Sequence, residues 1–375
     1  MKQILFWIYA FFFNIGASFP VEKKRIGLVS MHNANFNDGL YEIERELRSR
    51  GRYTFIKVNR NALNSIPTAI KFCTIDAYFL GGSKYIFLND NFMPLAYLKP
   101  NPDTKIIQIW HGQGAFKKFG LHIEQPEKIR KREIAANQKL DYVVCSSEGV
   151  RGIYAEAFGV PLAKVIDTGS PNEDYYFRRH DLPALRDEFD RKHPSCKNKF
   201  LVLYAPTFRD DREADKRILE NIELKKLKAA FPCQVEILVR LHPQVHSNMN
   251  LEGVVDVTDY ENINELCMIS DLLITDYSSI CMDFSLMKKP MVFYAYDLDK
   301  YKGDRDFYFD YESYVPGPIA TTMNELCYII EHEDFQTSKN DAFRAFNFDV
   351  TFGTASKDLI DYLEYQEELN SADAL

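Results

Sequence analysis

The chain alternates short apolar runs with stretches in which apolar residues recur every three to four positions. The runs are rich in Val, Ile, Leu, Tyr and Phe and are bounded by Gly, Pro, Asn and Asp, which marks them as strands. In the first half they cover residues 25–30, 53–58, 85–88, 105–110, 142–145 and 165–167. In the second half they cover 200–205, 235–241, 254–257, 272–275 and 291–296. Helical periodicity fills 39–50, 148–158, 212–230, 263–269, 280–287 and 323–331. Strand and helix in alternation predict βαβ units and parallel sheets. Two such series meet in a charged, weakly periodic stretch at 178–198 that carries Pro183 and Pro194, the expected linker. At 375 residues the chain exceeds one ordinary core, so two α/β domains are expected.

In open parallel sheets ligands collect beyond the carboxyl ends of the strands. The polar residues that follow each apolar run therefore carry the candidate chemistry. The run at 105–110 leads into Trp110, His111, Gly112, Gln113 and Gly114, then Lys117 and Lys118. A histidine among glycines lets a ligand approach closely and can take a proton near neutral pH, although a structural histidine in a turn fits as well. After 200–205 come Pro206, Thr207 and Arg209, suited to phosphate or base, or to a surface salt bridge. After 235–239 come Arg240, Leu241, His242 and Pro243, a cationic pair unusual in a buried strand. The run at 272–275 ends in Asp276, Tyr277, Ser278 and Ser279, where a helix starts, with Asp283 one turn further on. Unpaired N–H groups and the helix dipole make such a start an anion cradle; a plain serine cap is the alternative.

Composition narrows the ligand. A net charge of −8 argues against a general nucleic-acid binder, so no nucleic-acid partner is expected. Between residues 99 and 132, however, eight Lys/Arg face three acids, which suits a phosphorylated ligand or an anionic membrane face. The seven cysteines are scattered without a CxxC pair or zinc spacing, pointing to reduced thiols in a cytosolic protein. Residues 4–13 (ILFWIYAFFF) are unbroken apolar sequence, and no charge falls between Lys2 and Glu22. With Lys23, Lys24 and Arg25 behind it, this segment is read first as membrane-attached or buried. A spanning helix and a cleaved signal come after.

Several motifs in order make the chain similar to the CDP-glycerol glycerophosphotransferase family, which builds wall teichoic acid and related polyol-phosphate polymers. They are WHGQGAFKKFG, YAPTFRDD, RLHP, SDLLITDYSSICMDF, KKPMVFYAYDLDKY, DFYFDY and PGPI, spread over about 105–330 with a weaker echo from Lys24. The resemblance implies a GT-B-like fold: two Rossmann-type domains facing a cleft, with a short apolar N-terminal segment. The expected division is 1–20 apolar, 21–178 acceptor-side domain, 179–350 CDP-polyol-binding domain and 351–375 a C-terminal helix. It also implies attack by an acceptor hydroxyl on the phosphorus that bears glycerol, with release of CMP.

Under that resemblance His111 is the general base, and His242 with Arg240 stabilises the diphosphate and the leaving CMP. Ser278 and Ser279 bind phosphate, Asp283 takes donor hydroxyls, and Pro206 and Thr207 line the nucleotide pocket. Trp110, Gly112, Gln113, Gly114, Asn172 and Leu241 complete the donor-binding set. Lys117, Lys118 and Arg209 are weaker candidates for acceptor or phosphate. No metal or cofactor is expected, so cationic side chains and N–H groups must offset the shifting charge. The implied partners are CDP-glycerol or CDP-ribitol, a lipid-linked saccharide or polymer acceptor, and an anionic membrane surface. The expected location is the cytoplasmic face of the membrane, peripheral or monotopic, and the compact length favours a priming or short-chain enzyme. Two departures stand out. HGQG replaces HGTP, and GSPNED at 169–174 replaces GxPRND, so Asn172 stands for an arginine that Arg178 or Arg179 would have to replace. A CDP-ribitol enzyme, a nucleotide-sugar glycosyltransferase and an inactive binding module are the alternatives.

Overall fold

A computed structural model of the chain describes residues 2–36, 38–178, 180–207, 222–241, 253–299, 301, 307–348 and 353–372. The chain divides into two units, Met1–Arg178 with Phe346–Leu375, and Arg179–Ala345.

The first unit is built on β1 (Glu22–Ser30), β2 (Thr54–Asn59), β3 (Ser83–Leu88), β4 (Lys105–Gln108), β5 (Tyr142–Val144) and β6 (Val165–Ile166). All pair in parallel, in the order β2-β1-β3-β4-β5-β6. The second is built on β7 (Phe200–Tyr204), β8 (Val235–Val239), β9 (Val255–Asp256), β10 (Leu272–Thr275), β11 (Met291–Tyr294) and β12 (Ile319–Ala320). These are also parallel, in the order β12-β11-β10-β7-β8-β9. Strand order reverses between β1 and β3 in one sheet and between β7 and β10 in the other. Those two switch points are where an open α/β sheet takes its ligand.

Helices α1 (Lys2–Ala17), α2 (Gly39–Arg50), α3 (Ile66–Lys71), α4 (Ala77–Gly81), α5 (Glu127–Asn137) and α6 (Glu148–Phe158) belong to the first unit. The second carries α7 (Leu182–Lys192), α8 (Leu224–Ala229), α9 (Ile263–Ile269), α10 (Ile280–Ser285) and α11 (Met323–Glu331). The final helix, α12 (Ala355–Ala372), returns to the first unit. The Asp174 carboxylate fastens its start, accepting the N–H groups of Ala355 (2.9 Å) and Ser356 (2.8 Å). Leu359, Ile360 and Leu363 of α12 then join Ile26, Leu28, Ile43, Phe87 and Ile107 in one core.

Three elements differ from the sequence pattern. The expected linker at 178–198 holds α7, whose Pro183 sits in the first turn, where the missing N–H costs nothing. The expected strand at 105–110 stops at Gln108, because Trp110 turns to φ 54°. Helices α3 and α4 are joined by a π-helical stretch, Phe72–Asp76, which breaks the 3.6-residue period that a pattern search follows. Part of the expected helix at 212–230 lies outside the described residues, as do Arg179, Arg209 and His242.

Helix α1 is docked by one face only. Tyr9, Phe13 and Ala17 are buried, whereas Ile4, Trp7, Ile8 and Phe11 are exposed. At sixteen residues it is about 24 Å long, short of a hydrocarbon core of about 30 Å. Among the described residues no helix is long and apolar enough to cross a membrane.

Candidate active site

In the first unit the site forms around the ends of β1, β3 and β4. Gln108 closes β4 and turns the chain with its own side chain, donating Nε2 to the Asp90 carbonyl (3.0 Å) and accepting the Trp110 N–H (3.0 Å). Trp110 then adopts a left-handed conformation, a rare state for a bulky residue that costs of the order of 1–3 kcal/mol unless its surroundings enforce it. They do. The buried indole packs against Phe119 and Phe158 (centroids 5.4 and 5.3 Å). The following turn is pinned by the Tyr154 hydroxyl, whose single hydrogen is shared between Gly112 O (3.0 Å) and Gly114 O (3.2 Å). Gly114 N–H donates to Ser146 Oγ, and Ala115 N–H to Asn347 Oδ1, both at 3.0 Å. At φ 60°, with a Cβ that would lie 2.5 Å from Asn347 Oδ1, position 114 strongly favours glycine.

His111 sits on this turn as a solvent-accessible residue whose ring is partly enclosed by protein. Its Nδ1 lies 3.1 Å from the Asn89 carbonyl. A carbonyl only accepts, so the hydrogen is on Nδ1 and the Nε2 lone pair is left to take a proton. Surrounding protein atoms lower its pKa through desolvation. The Asn89 carbonyl acts upward, and the His32 charge acts downward. The base form therefore persists to lower pH than for an ordinary histidine.

Strand ends not singled out in the sequence add further polar groups in this unit. His32, two residues past β1, stacks its ring on His111 (centroids 5.6 Å, 12° between planes). Its N–H donates to Asp90 Oδ2 (2.6 Å), and burial pushes the Asp90 carboxyl up to about 6. Asn89 Nδ2 donates to Asp38, the N-cap of α2. Following the same strand-end rule past residues 30 and 88 finds His32, Asn89 and Asp90.

Asn172 lies in the same unit, its Oδ1 accepting the Gly39 N–H (2.6 Å) and its Nδ2 donating to the Trp110 carbonyl (3.3 Å). Arg178 pairs with Glu42 (3.1 Å) and lies over the Tyr175 ring (4.3 Å). Lys117 and Lys118 are half-buried further along the His111 loop, and Gln113 is buried within it.

In the second unit a cluster of candidate residues forms at the β7/β10 switch point. Asp276 Oδ1 accepts the N–H groups of Thr207 (2.7 Å) and Tyr277 (2.6 Å), tying the end of β7 to the end of β10. Tyr311 OH donates to the Asp276 carbonyl (2.9 Å); burial raises its pKa and keeps it a donor. Tyr277 stacks on Tyr301 (3.6 Å) and donates its hydroxyl to Asp297 (3.0 Å). The aromatic and acidic residues after β11 thus brace the serine turn. Ser278 Oγ receives the Ile280 N–H (3.4 Å), while Ser279, at the start of α10, is exposed and makes no side-chain cap. Asp283 is half-buried on the first turn of α10.

Arg240 follows β8. Its guanidinium donates to the carbonyls of Tyr260 (2.6 Å) and Val257 (3.3 Å). Burial lowers its pKa from a starting value so high that the cation is retained. Leu241 N–H is held by Thr258 (3.1 Å), and Pro206 and Thr207 are buried. The ends of β7, β8 and β10 thus carry hydroxyls, the Arg240 cation and a helix start, residue types that suit a phosphorylated ligand. Among the described residues no group of His, Cys, Asp and Glu could hold a metal ion.

Residues 11–365 match the family described as CDP-Glycerol:Poly(glycerophosphate) glycerophosphotransferase. Two curated relatives come from Bacillus spizizenii (strain ATCC 23059 / NRRL B-14472 / W23). The teichoic acid ribitol-phosphate primase is 30% identical, over 93% of either chain. The teichoic acid poly(ribitol-phosphate) polymerase is 29% identical over 98% of this chain, which spans only 60% of that protein's length. The solved structure of the wall teichoic acid polymerase TagF soaked with CDPG superposes with a TM-score of 0.78 at 26% identity, covering 97% of this chain and 94% of that one.

Proposed function

Because this chain belongs to the CDP-glycerol:poly(glycerophosphate) glycerophosphotransferase family, we propose that it transfers glycerol phosphate from CDP-glycerol to a hydroxyl of a lipid-linked saccharide or polyol-phosphate chain in teichoic acid synthesis. The observation that carries this reading is the 3.1 Å approach of His111 Nδ1 to the Asn89 carbonyl, which favours a hydrogen on Nδ1 and leaves Nε2 as a base. The acceptor oxygen attacks the phosphorus that bears glycerol, and its proton passes to Nε2. The new O–P bond forms as the P–O bond to CMP breaks, and CMP leaves with the electron pair. Arg240, Ser278, Ser279 and the start of α10 offset the charge that moves onto CMP. His242 joins them in this reading, although it lies outside the described residues.

The experiment offers CDP-glycerol, CDP-ribitol and UDP-sugars, each with lipid-linked acceptors, and follows CMP or UDP. CMP release from CDP-glycerol is the expected result; UDP release alone would overturn the reading. The names of the two Bacillus relatives favour CDP-ribitol as a second donor reading, and the same assay separates the two.

We also read the exposed face of α1 as lying on an anionic bilayer. Ile4, Trp7, Ile8 and Phe11 are exposed on α1, and Ile66, Ile70 and Phe79 on α3 and α4 nearby. Basic groups adjoin them: Lys23 and Lys24 follow α1, Arg25 lies over Phe79, and Arg132 lies over Phe6. Such a surface combines apolar insertion with attraction to acidic headgroups. Trp7→Glu and Phe11→Glu should each lower partition onto phosphatidylglycerol vesicles by about 10- to 100-fold, as loss of about 1.5–3 kcal/mol of apolar burial implies. Unchanged partition would remove α1 from the contact. Deleting the helix is the poorer test, since Tyr9 and Phe13 belong to the core.

A further inference from the structure

We propose that Asn172 is a positioning residue, which holds the turn carrying His111 against the first turn of α2. The proposal rests on the reading of His111 as the base. Both ends of the Asn172 amide are engaged, and they need opposite partners. Oδ1 accepts the N–H of Gly39, and Nδ2 donates to the carbonyl of Trp110, the residue before His111. Nδ2 also lies 3.2 Å from Ser170 Oγ, within the same short turn. The fit against α2 is close: a Cβ on Gly39 would lie 3.0 Å from Asn172 Oδ1 and 3.1 Å from Pro171 Cβ.

A second arm reaches His111 from the neighbouring residue of α2. Asp38 accepts from Asn89 Nδ2, and the Asn89 carbonyl holds His111 Nδ1. The backbone before His111 and the ring of His111 are therefore tied to adjacent residues, Gly39 and Asp38. The backbone tie matters because Trp110 stands at φ 54°. Released, that residue gains energy by returning to negative φ, and such a rotation swings the next side chain. Arginine or lysine at 172 offers no acceptor for the Gly39 N–H, and aspartate offers no donor for the Trp110 carbonyl. The amide supplies both on two separate atoms, whereas a serine hydroxyl, which can also donate and accept, does so from one oxygen nearer the backbone. The asparagine that replaces the family's arginine thus has a structural role of its own beside the base.

Asn172→Asp tests this with almost no change in volume, and Asn172→Ser serves if the aspartate does not fold. Two readouts are taken. In steady-state kinetics kcat should fall about 10- to 100-fold, the scale expected when a catalytic group shifts by about 1 Å, with KM for CDP-glycerol unchanged. In protein labelled with 15N-histidine, His111 is identified by the signal missing from His111→Ala. Its Nδ1–H pattern should be single in the wild type and averaged or altered in the Asn172 variant. A raised KM with unchanged kcat would mean that Asn172 contacts the donor, and would overturn the proposal. An unchanged His111 spectrum would also overturn it, whatever the activity. Failure of the functional reading is separate: a wild type releasing no CMP from any CDP-polyol, with the spectral change intact.

Discussion

Replacing His111 by alanine is expected to lower CMP release by about 10²- to 10⁴-fold, the range for losing a positioned general base, while leaving the affinity for the CDP-polyol unchanged. The expectation follows from how the ring is held. The Asn89 carbonyl fixes Nδ1 as the donor, so only Nε2 can receive a proton, and desolvation with the His32 charge keeps the ring neutral. The rate should therefore fall with decreasing pH only below the ordinary histidine value, when His111 protonates. Asp90 beside His32 titrates near 6, so the two must be separated. Asp90→Asn should keep an acid limb, and His111→Ala should lose it along with the rate. Rates compared from pH 4.5 to 8 decide this, and a His111→Ala enzyme with full activity would remove the base from the mechanism.

Gly81→Ala should rank among the most damaging single changes of fold at the glycines of the first unit. A Cβ at position 81 would lie 2.1 Å from the Phe13 carbonyl oxygen and 2.8 Å from the Ala17 nitrogen. Both are backbone atoms of α1, so no side chain can swing aside. Position 16, across the contact, is equally tight, its Cβ 1.9 Å from the Tyr78 carbonyl oxygen. Overpacking against backbone belongs at the upper end of the usual 1–3 kcal/mol, so a loss of about 3 kcal/mol is expected. The helix should also become open to proteolysis. Gly152→Ala is the control: it lies inside α6 with nothing within 4 Å of its Cβ, and should stabilise by about 1 kcal/mol. Thermal unfolding of the two variants gives the comparison. Equal stability of Gly81→Ala and wild type would mean that α1 and α4 separate at no cost.

Much of the fold is written in local pattern. Buried parallel strands read as continuous apolar runs, and the two sheets contain every expected strand within a few residues. Strand β12 (Ile319–Ala320) was not expected, and α3 and α4 escaped because the π-helical stretch between them resets the period. At the site, residue types were legible and partners were not. His111, Arg240 and the 278–279 serines stand directly after apolar runs. Nothing local says that Asn172 will meet Trp110 across 62 positions and Gly39 across 133. Those bonds depend on which strands become neighbours, and strand order is a property of the whole sheet. His32 and Asp90 were visible by the same rule that found His111. They carry no glycine or lysine beside them, whereas the 110–118 loop carries both.

The return of α12 to the first sheet bears on how the chain folds as it is made. Residues 179–345 form one contiguous unit and can close as soon as they emerge. The earlier unit cannot, because Leu359, Ile360 and Leu363 fill its core and Asn347 holds the turn beside the base. The half translated first is thus finished last. Until synthesis passes residue 363, the surface that awaits α12 stays uncovered and the base-bearing turn lacks its Asn347 contact, so assembly of the base is linked to arrival of the chain's last helix.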